Sequence, residues 1–72
     1  MRPAIIHLFL GPPAVLGEVV GRVDEDNLRV KFSNGTVRTW LESYVTECET
    51  VEEAEKALAE ILKAHSAARR WA

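Results

Sequence analysis

The side chains that could do covalent or metal chemistry are few in this sequence, and they lie far apart. The 72 residues include one cysteine, Cys48, and two histidines, His7 and His65. Nucleophilic catalysis needs a thiol or hydroxyl beside a base, and no spacing here indicates such a pair. Metal sites are built from Cys and His residues at short spacing, which this sequence does not offer. We therefore predict no catalytic residue, no metal site and no cofactor.

Phosphate binding by a glycine-rich loop is also not indicated. The spacing of Gly11, Gly17 and Gly21 does not match a P-loop, and the lysine of such a loop is missing. The adjacent acids Glu52 and Glu53 suit the first turn of a helix, where negative charge is favoured. These patterns favour a binding module over an enzyme.

One group of residues combines cations with an aromatic ring. This basic–aromatic set consists of Arg29, Lys31, Arg38 and Trp40, and Arg22 joins it if the preceding strand pairs alongside. Such a surface could stack a nucleic-acid base and hold phosphates. The alternative is a solvated face on which an arginine lies across the indole ring.

A second candidate surface is the apolar stripe of a predicted C-terminal helix. The residues of this stripe that could contact a partner or a second copy are Leu58, Ile61, Leu62, His65 and Trp71. The stripe has helical spacing, so it could cover the β-sheet of its own chain. Alternatively, part of it could meet another protein or a second copy, which would relieve the small core of so short a chain.

The clearest structural signal is the stretch LRVKFS-NG-TVRTWL. Asn34-Gly35 favours a two-residue type I′ turn, which would pair Leu28 with Leu41 and Arg29 with Trp40. In that register the basic–aromatic set faces outward, because strand side chains alternate between faces. The inward set would then be Leu28, Val30, Phe32, Val37, Thr39 and Leu41.

The remaining elements follow from apolar runs and their boundaries. Strands are predicted near 4–10, 17–24, 27–33, 36–41 and 44–48, with a 3-10 turn at 42–43 and a helix near 50–69. The predicted core is Ile5, Leu8 or Leu10, Val19, Val23, Leu28, Val30, Phe32, Val37, Leu41, Val45, Leu58, Ile61 and Leu62.

Two stretches, GRVDEDNLRVKFSNGTVRTW and WLESYVTECE, resemble the Src-homology-type small β-barrel, a group that includes Tudor-like and KOW-like modules. The resemblance covers about residues 17–49 and implies a five-stranded barrel. The early aromatic–acidic motif and the tandem tryptophan of the peptide-binding members are missing. Of the residues that line the proline-binding groove in those members, Tyr44 alone has a match.

Composition and charge narrow the class of protein. The net charge is −2, with +1 over residues 1–41, −6 over 42–60 and +3 over 61–72. This balance argues against a dedicated nucleic-acid binder. The apolar run at 4–10 is too short for a signal peptide or a membrane span. A single cysteine fits a reducing compartment, so we expect a cytoplasmic protein that does not bind membranes.

The sequence thus predicts one domain over residues 1–72: a five-stranded small barrel at about 4–48, closed by a helix at about 50–69. We expect a non-enzymatic module for protein–protein interaction or assembly, acting alone or as a homodimer. One alternative is weak nucleic-acid binding through the basic–aromatic set. Another is a small accessory protein that inhibits a larger machine.

Overall fold

Five antiparallel strands and one C-terminal helix make up the chain. The computed structural model describes the backbone of residues 2–71 and the side chains of residues 2–66. The elements are β1 (Arg2–His7), β2 (Ala14–Arg22), β3 (Asn27–Phe32), β4 (Val37–Leu41), a 3-10 turn (Glu42–Tyr44), β5 (Val45–Glu47) and α1 (Val51–Trp71). The predicted mainly β class with a single helix is confirmed. α1 lacks the continuous apolar length that crossing a membrane requires.

The strands form one sheet in the order β4-β3-β2-β1-β5. The sheet is not closed into a barrel, because β4 and β5 are its two edges and do not pair with each other. Only the three-residue 3-10 turn separates these edge strands in sequence. The sheet must therefore curl strongly to bring its two ends near each other. This curl creates an inner face and an outer face.

The predicted register of the β3–β4 hairpin is wrong by one residue. Leu28 pairs with Trp40, and Asn27 pairs with Leu41. The loop has three residues rather than two, since Phe32 N–H donates to Thr36 O at 2.8 Å. Of the three loop residues, only Gly35 adopts a positive φ, of 89°. This is the pattern of a type I turn followed by a left-handed glycine, and it spares Asn34 the positive φ that a type I′ turn demands.

A one-residue change of register moves every side chain of β4 to the other face. Trp40 therefore points to the inner face, where it packs with Leu28 and Val30. Val37 and Leu41 lie on the outer face and are 47% and 42% exposed, which corrects their prediction as core residues. Thr39, also predicted to face inward, is exposed on that outer face.

The inner face holds the first hydrophobic cluster. Ile6, Leu28 and Val30 are buried at its centre. Partly buried side chains surround them: Leu8, Val15, Val19, Phe32, Trp40 and Val45. Gly17 also lies over this cluster, and its position admits no side chain because Ile6 occupies the space. The curled sheet thus encloses a small core without a second sheet.

The outer face of β1 and β2 holds the second cluster, beneath α1. Its buried members are Ile5, Ala14, Cys48 and Ala54, and its partly buried members are Leu16, Ala57, Leu58 and Ile61. The helix begins as predicted, because the Thr50 hydroxyl accepts a hydrogen bond from Glu53 N–H at 3.1 Å. The small side chains Ala14 and Ala54 allow the helix to approach the sheet closely.

Two further core predictions are corrected by the structure, since Val23 and Leu62 are exposed rather than buried. Of the alternatives Leu8 and Leu10, the structure packs Leu8 against the inner-face cluster and exposes Leu10. Val23 follows the end of β2, Leu10 lies in the β1–β2 loop, and Leu62 lies on α1 beside the stripe that packs on the sheet. Sequence analysis missed Ala4, Ile6, Ala14, Cys48 and Ala54, all of which are buried.

Candidate functional site

The β1–β2 loop presents two apolar side chains to solvent. The predicted strand at 4–10 ends early, at His7, and residues 8–13 form this loop. Leu8 N–H donates to Pro13 O at 3.0 Å, and Gly11 takes the positive φ of 82° that the turn requires. Pro12 and Pro13 restrict the backbone further. The loop is thereby held in a shape that leaves Phe9 62% and Leu10 88% exposed.

Trp40 connects one edge of the sheet to the end of β1. Its indole Nε1–H donates to His7 O at 2.9 Å. Its ring also meets Phe32 edge-on, with ring centroids 5.6 Å apart. The indole therefore has its only donor satisfied and its position fixed from two sides.

Phe9, Trp40 and Tyr44 form a continuous aromatic surface at the mouth of the curled sheet. The Phe9 ring lies 5.6 Å from the Trp40 ring and 4.8 Å from the Tyr44 ring, between centroids. Both pairs are tilted, a geometry that aromatic rings favour over a face-to-face sandwich. Phe9 and Tyr44 stay open to solvent, while Trp40 is half-buried.

The 3-10 turn that carries Tyr44 is held by the β2–β3 loop. Glu42 N–H donates to Asp26 O at 2.8 Å. Arg22 donates to both carboxylate oxygens of Glu42, at 2.9 and 3.2 Å. The loop itself is organised by Asp24, whose Oδ1 accepts hydrogen bonds from the backbone N–H groups of Asp26 and Asn27. These bonds position the turn and hence Tyr44.

The same bonds set the protonation of two exposed carboxyl groups. The N–H of Asp26, followed by the Asn27 side chain, lowers the pKa of Asp24 below its ordinary value. The hydrogen bond and the charge of Arg22 lower the pKa of Glu42. Both groups thus favour their charged forms, and the rim of the site beside Tyr44 carries negative charge.

Acid is expected to weaken this support. A carboxyl group whose pKa is lowered by folding stabilises the fold above its ordinary pKa, about 4, and loses that contribution as the pH falls through the lower folded value. Asp24→Asn keeps an acceptor oxygen but removes one titration. Its thermal midpoint should therefore fall less than that of the wild type between about pH 6 and pH 3.

Circular dichroism melts measure this difference. Glu25→Gln is the matched control, since the structure of residues 2–66 gives the Glu25 side chain no ion pair. It should follow the wild type. Equal acid sensitivity of the wild type and Asp24→Asn would contradict the assigned role of the Asp24 carboxylate.

The basic–aromatic set does not form one surface. Arg29 and Lys31 are on the outer face, whereas Arg38 and Trp40 are on the same side as buried Val30 and Leu28, with which they pair. Lys31 also lies opposite Glu18 of β2, and Arg22 pairs with Glu42. Trp40 therefore shares its face with Arg38 and with Arg22, which is engaged by Glu42, and it is separated from Arg29 and Lys31.

The predicted helix surface is partly used by the chain itself. Leu58 and Ile61 pack against the outer-face cluster. Leu62 and His65 are exposed, and the Trp71 side chain lies outside the described residues. Tyr44, matched through the family resemblance, lies in the aromatic surface. Sequence analysis missed Phe9 as a site residue, although an aromatic residue just before Gly-Pro-Pro signals a side chain presented by a loop.

A shallow groove of about 330 Å³ lies elsewhere, beside the start of α1. Apolar side chains such as Leu16, Phe32 and Val51 line it. Its two charged residues, Glu18 and Lys31, are cross-strand neighbours of opposite sign. The groove therefore offers no net charge to a ligand, and its one aromatic side chain, Phe32, is partly buried in the inner-face cluster.

The comparisons with known proteins were made against family models, curated proteins and solved structures. None finds a match.

Cys48 and His7 each have a place in the packing and hydrogen bonding of the fold. Cys48 is buried, and burial together with the charge of Glu53 raises the pKa of its thiol, which disfavours the reactive thiolate. His7 Nε2 lies 3.4 Å from the Thr46 hydroxyl, with no carboxylate hydrogen-bonded to the ring among residues 2–66. Nor is any group of three or more His, Cys, Asp or Glu residues in this part of the chain arranged so that it could hold a metal ion.

Proposed function

We propose that this domain is a non-enzymatic protein-interaction module that binds a segment of another protein on its aromatic surface. The observation that carries the proposal is the set of contacting rings of Phe9, Trp40 and Tyr44, of which Phe9 is 62% exposed. Exposing large apolar rings to water costs free energy, and contiguous exposed apolar surface is typical of interaction sites. Aromatic side chains also dominate the energetics of such sites.

The surface is organised before any partner arrives. The backbone hydrogen bond from Leu8 to Pro13 holds the loop under Phe9, and the indole hydrogen bond holds Trp40. The ion pair between Arg22 and Glu42 holds the turn under Tyr44. A partner therefore loses little free energy to ordering this surface, which favours binding.

The surface indicates the chemistry of its partner. The indole N–H already donates to His7 O, so ring faces and edges remain as the main contact area. Ring faces suit apolar side chains and cations. The β2–β3 loop that holds the turn under Tyr44 carries Asp24, Glu25 and Asp26, next to the ion pair of Arg22 with Glu42. This charge favours a partner segment with apolar and basic residues, and it disfavours the phosphates of a nucleic acid.

The module acts by binding its partner and catalyses no reaction. A small accessory inhibitor of a larger machine would work through the same surface. The buried single thiol of Cys48 accords with a reducing, cytoplasmic setting.

A displayed random-peptide library tests the proposal. The wild type should select peptides that share an apolar anchor next to lysine or arginine. Binding of the selected peptides should be lost by Phe9→Ala combined with Tyr44→Ala. Leu62→Ala is the matched control, because Leu62 and Tyr44 are 39% and 38% exposed on different parts of the molecule.

A parallel titration with a mixed-sequence single-stranded oligonucleotide separates the alternative. Salt-sensitive binding of the oligonucleotide that is abolished by Lys31→Glu, with no peptide selected, would replace this proposal with nucleic-acid binding. Selected peptides that bind the double variant as well as the wild type would also overturn it.

A further inference from the structure

β4 is an edge strand of the sheet, and on the side away from β3 every second residue has a backbone N–H group without a strand partner. Antiparallel hydrogen bonds join Phe32 to Thr36 at one end of the β3–β4 pair and Asp26 to Glu42 at the other. Between these two pairs, every second residue of β4 directs its backbone N–H and C=O groups toward β3, and these residues are Arg38 and Trp40. The backbone N–H groups of Val37, Thr39 and Leu41 therefore point away from the sheet.

No other described element pairs with this edge. β4 is the last strand in the sheet order, and no backbone hydrogen bond within residues 2–71 reaches it from outside β3. Natural proteins usually protect such an edge with a lysine, a proline, a bulge or a covering segment. β4 reads Val-Arg-Thr-Trp-Leu, and its one charge, Arg38, lies on the inner side. Val37 and Leu41 are 47% and 42% exposed on the outer side.

We propose that β4 pairs with β4 of a second copy of this chain, antiparallel across a two-fold axis at Thr39. The sequence around Thr39 is self-complementary in this register. Val37 of one copy would face Leu41 of the other on the outer side, so both apolar side chains would be covered. Arg38 would face the Trp40 ring of the other copy on the inner side, a favourable cation–aromatic pair. A two-fold interface needs this kind of self-complementarity.

The backbone supports the same register. Thr39 of each copy would donate to Thr39 of the other, and Leu41 would donate to Val37 of the other. The carbonyl of Leu41 lies at the start of the 3-10 turn, so it is not counted as an acceptor for Val37 of the other copy. The contact therefore has four backbone hydrogen bonds. The two sheets would become one ten-stranded sheet without an unpaired β4 edge.

The like charges nearest the axis would be Arg38 and its counterpart, diagonal neighbours about 7–8 Å apart, each opposite a Trp40 ring. Arg29 and Lys31 lie one strand further in, on β3. Their charges in the two copies would be three strand spacings apart, about 14 Å. That separation exceeds the Debye length of about 8 Å at physiological ionic strength. The contact shares Trp40 with the proposed peptide site, but it is made by the edge of β4 and by a second copy of the chain, whereas peptide binding depends on Phe9 and Tyr44.

The mass of the full chain in solution tests the proposal. Sedimentation equilibrium of the wild type should give a mass that rises to two chains with concentration. Thr39→Pro should give a monomer with an unchanged far-ultraviolet spectrum, because it removes an N–H that β3 does not use. Thr39→Lys places two lysines opposite each other at the axis, and it gives a second monomeric variant should the proline disturb folding.

A cysteine scan tests the register itself. Directly opposed Thr39 residues would have Cα atoms about 5.5 Å apart, within the range of a disulfide. Thr39→Cys should therefore form a cross-linked dimer under mild oxidation, whereas Arg29→Cys should not. The wild type is the control for Cys48, which is 5% exposed and should not react.

Three results would overturn the proposal: a wild type that stays monomeric at about millimolar concentration, a dimer that survives Thr39→Lys, or a dimer lost in Leu62→Lys. The last would assign the contact to the helix surface instead. None of these results bears on whether Phe9 and Tyr44 bind peptides, so the two proposals can fail separately.

Discussion

Gly17→Ala is expected to destabilise the domain enough to populate the unfolded state at room temperature. A β-carbon at this position would lie 2.3 Å from Ile6 Cδ1 and 2.8 Å from Lys31 O. Ile6 is fully buried and Lys31 O is backbone, so neither atom can move away without disturbing the core. Overpacking of this kind costs about 1–3 kcal/mol or more. A domain of this size has about 3–5 kcal/mol in total.

Urea unfolding followed by circular dichroism measures the effect. Gly21→Ala is the matched control in the same strand, since a β-carbon there meets no atom within 4 Å. It should be neutral or stabilise by up to about 1 kcal/mol, because alanine restricts the unfolded chain. Equal midpoints for the two variants would show that β2 does not cross the core as closely as described.

Ile6→Ala is expected to have the second large effect. Ile6 is fully buried on the inner face, at the centre of a cluster built from β1, β3 and their neighbours. Truncating such a side chain costs about 2–5 kcal/mol, from lost transfer free energy and the cavity left behind. The loss would remove most of the stability of the domain. Ile6→Val should cost only about 0.5–1.5 kcal/mol.

The control is Leu10→Ala, in the loop that follows the same strand. Leu10 is 88% exposed, so its truncation should leave the urea midpoint unchanged. A large loss of stability in Leu10→Ala, or none in Ile6→Ala, would contradict the assignment of the inner-face core.

Much of the fold follows from local signals in the sequence. The Thr50 cap and the run of helix-forming residues after it determined where α1 begins. The class, five strands and a helix, followed from apolar runs separated by Gly, Pro and Asn. Ile5, Leu28 and Val30 were predicted to be buried for the same reason, and the structure buries all three.

The hairpin register could not be predicted from the sequence pattern, because two loop lengths suit the same residues. A two-residue and a three-residue loop both place Asn34-Gly35 in the turn. In the structure the Asn34 side chain accepts a hydrogen bond from Thr36 N–H at 2.9 Å, which supports the three-residue loop. The choice is also tertiary, since it directs the large Trp40 ring into the inner face instead of Val37 and Leu41.

The aromatic surface was missed for a related reason. It joins Phe9, Trp40 and Tyr44, which are far apart in sequence and meet only because the sheet curls. Its assembly also depends on the register that sequence analysis placed wrongly. Tyr44 alone was singled out, through the family resemblance, and no local pattern connects it to the β1–β2 loop.

The most direct test of peptide binding on the aromatic surface is a fluorescence titration with a selected peptide. Trp71→Phe leaves Trp40 as the only tryptophan, so its emission reports on the aromatic surface. The peptide should shift this emission, and Phe9→Ala should weaken the Kd by about tenfold or more, as for an interface hot spot. Leu62→Ala should leave the Kd unchanged. A peptide that binds Phe9→Ala as tightly as the wild type would contradict the claim.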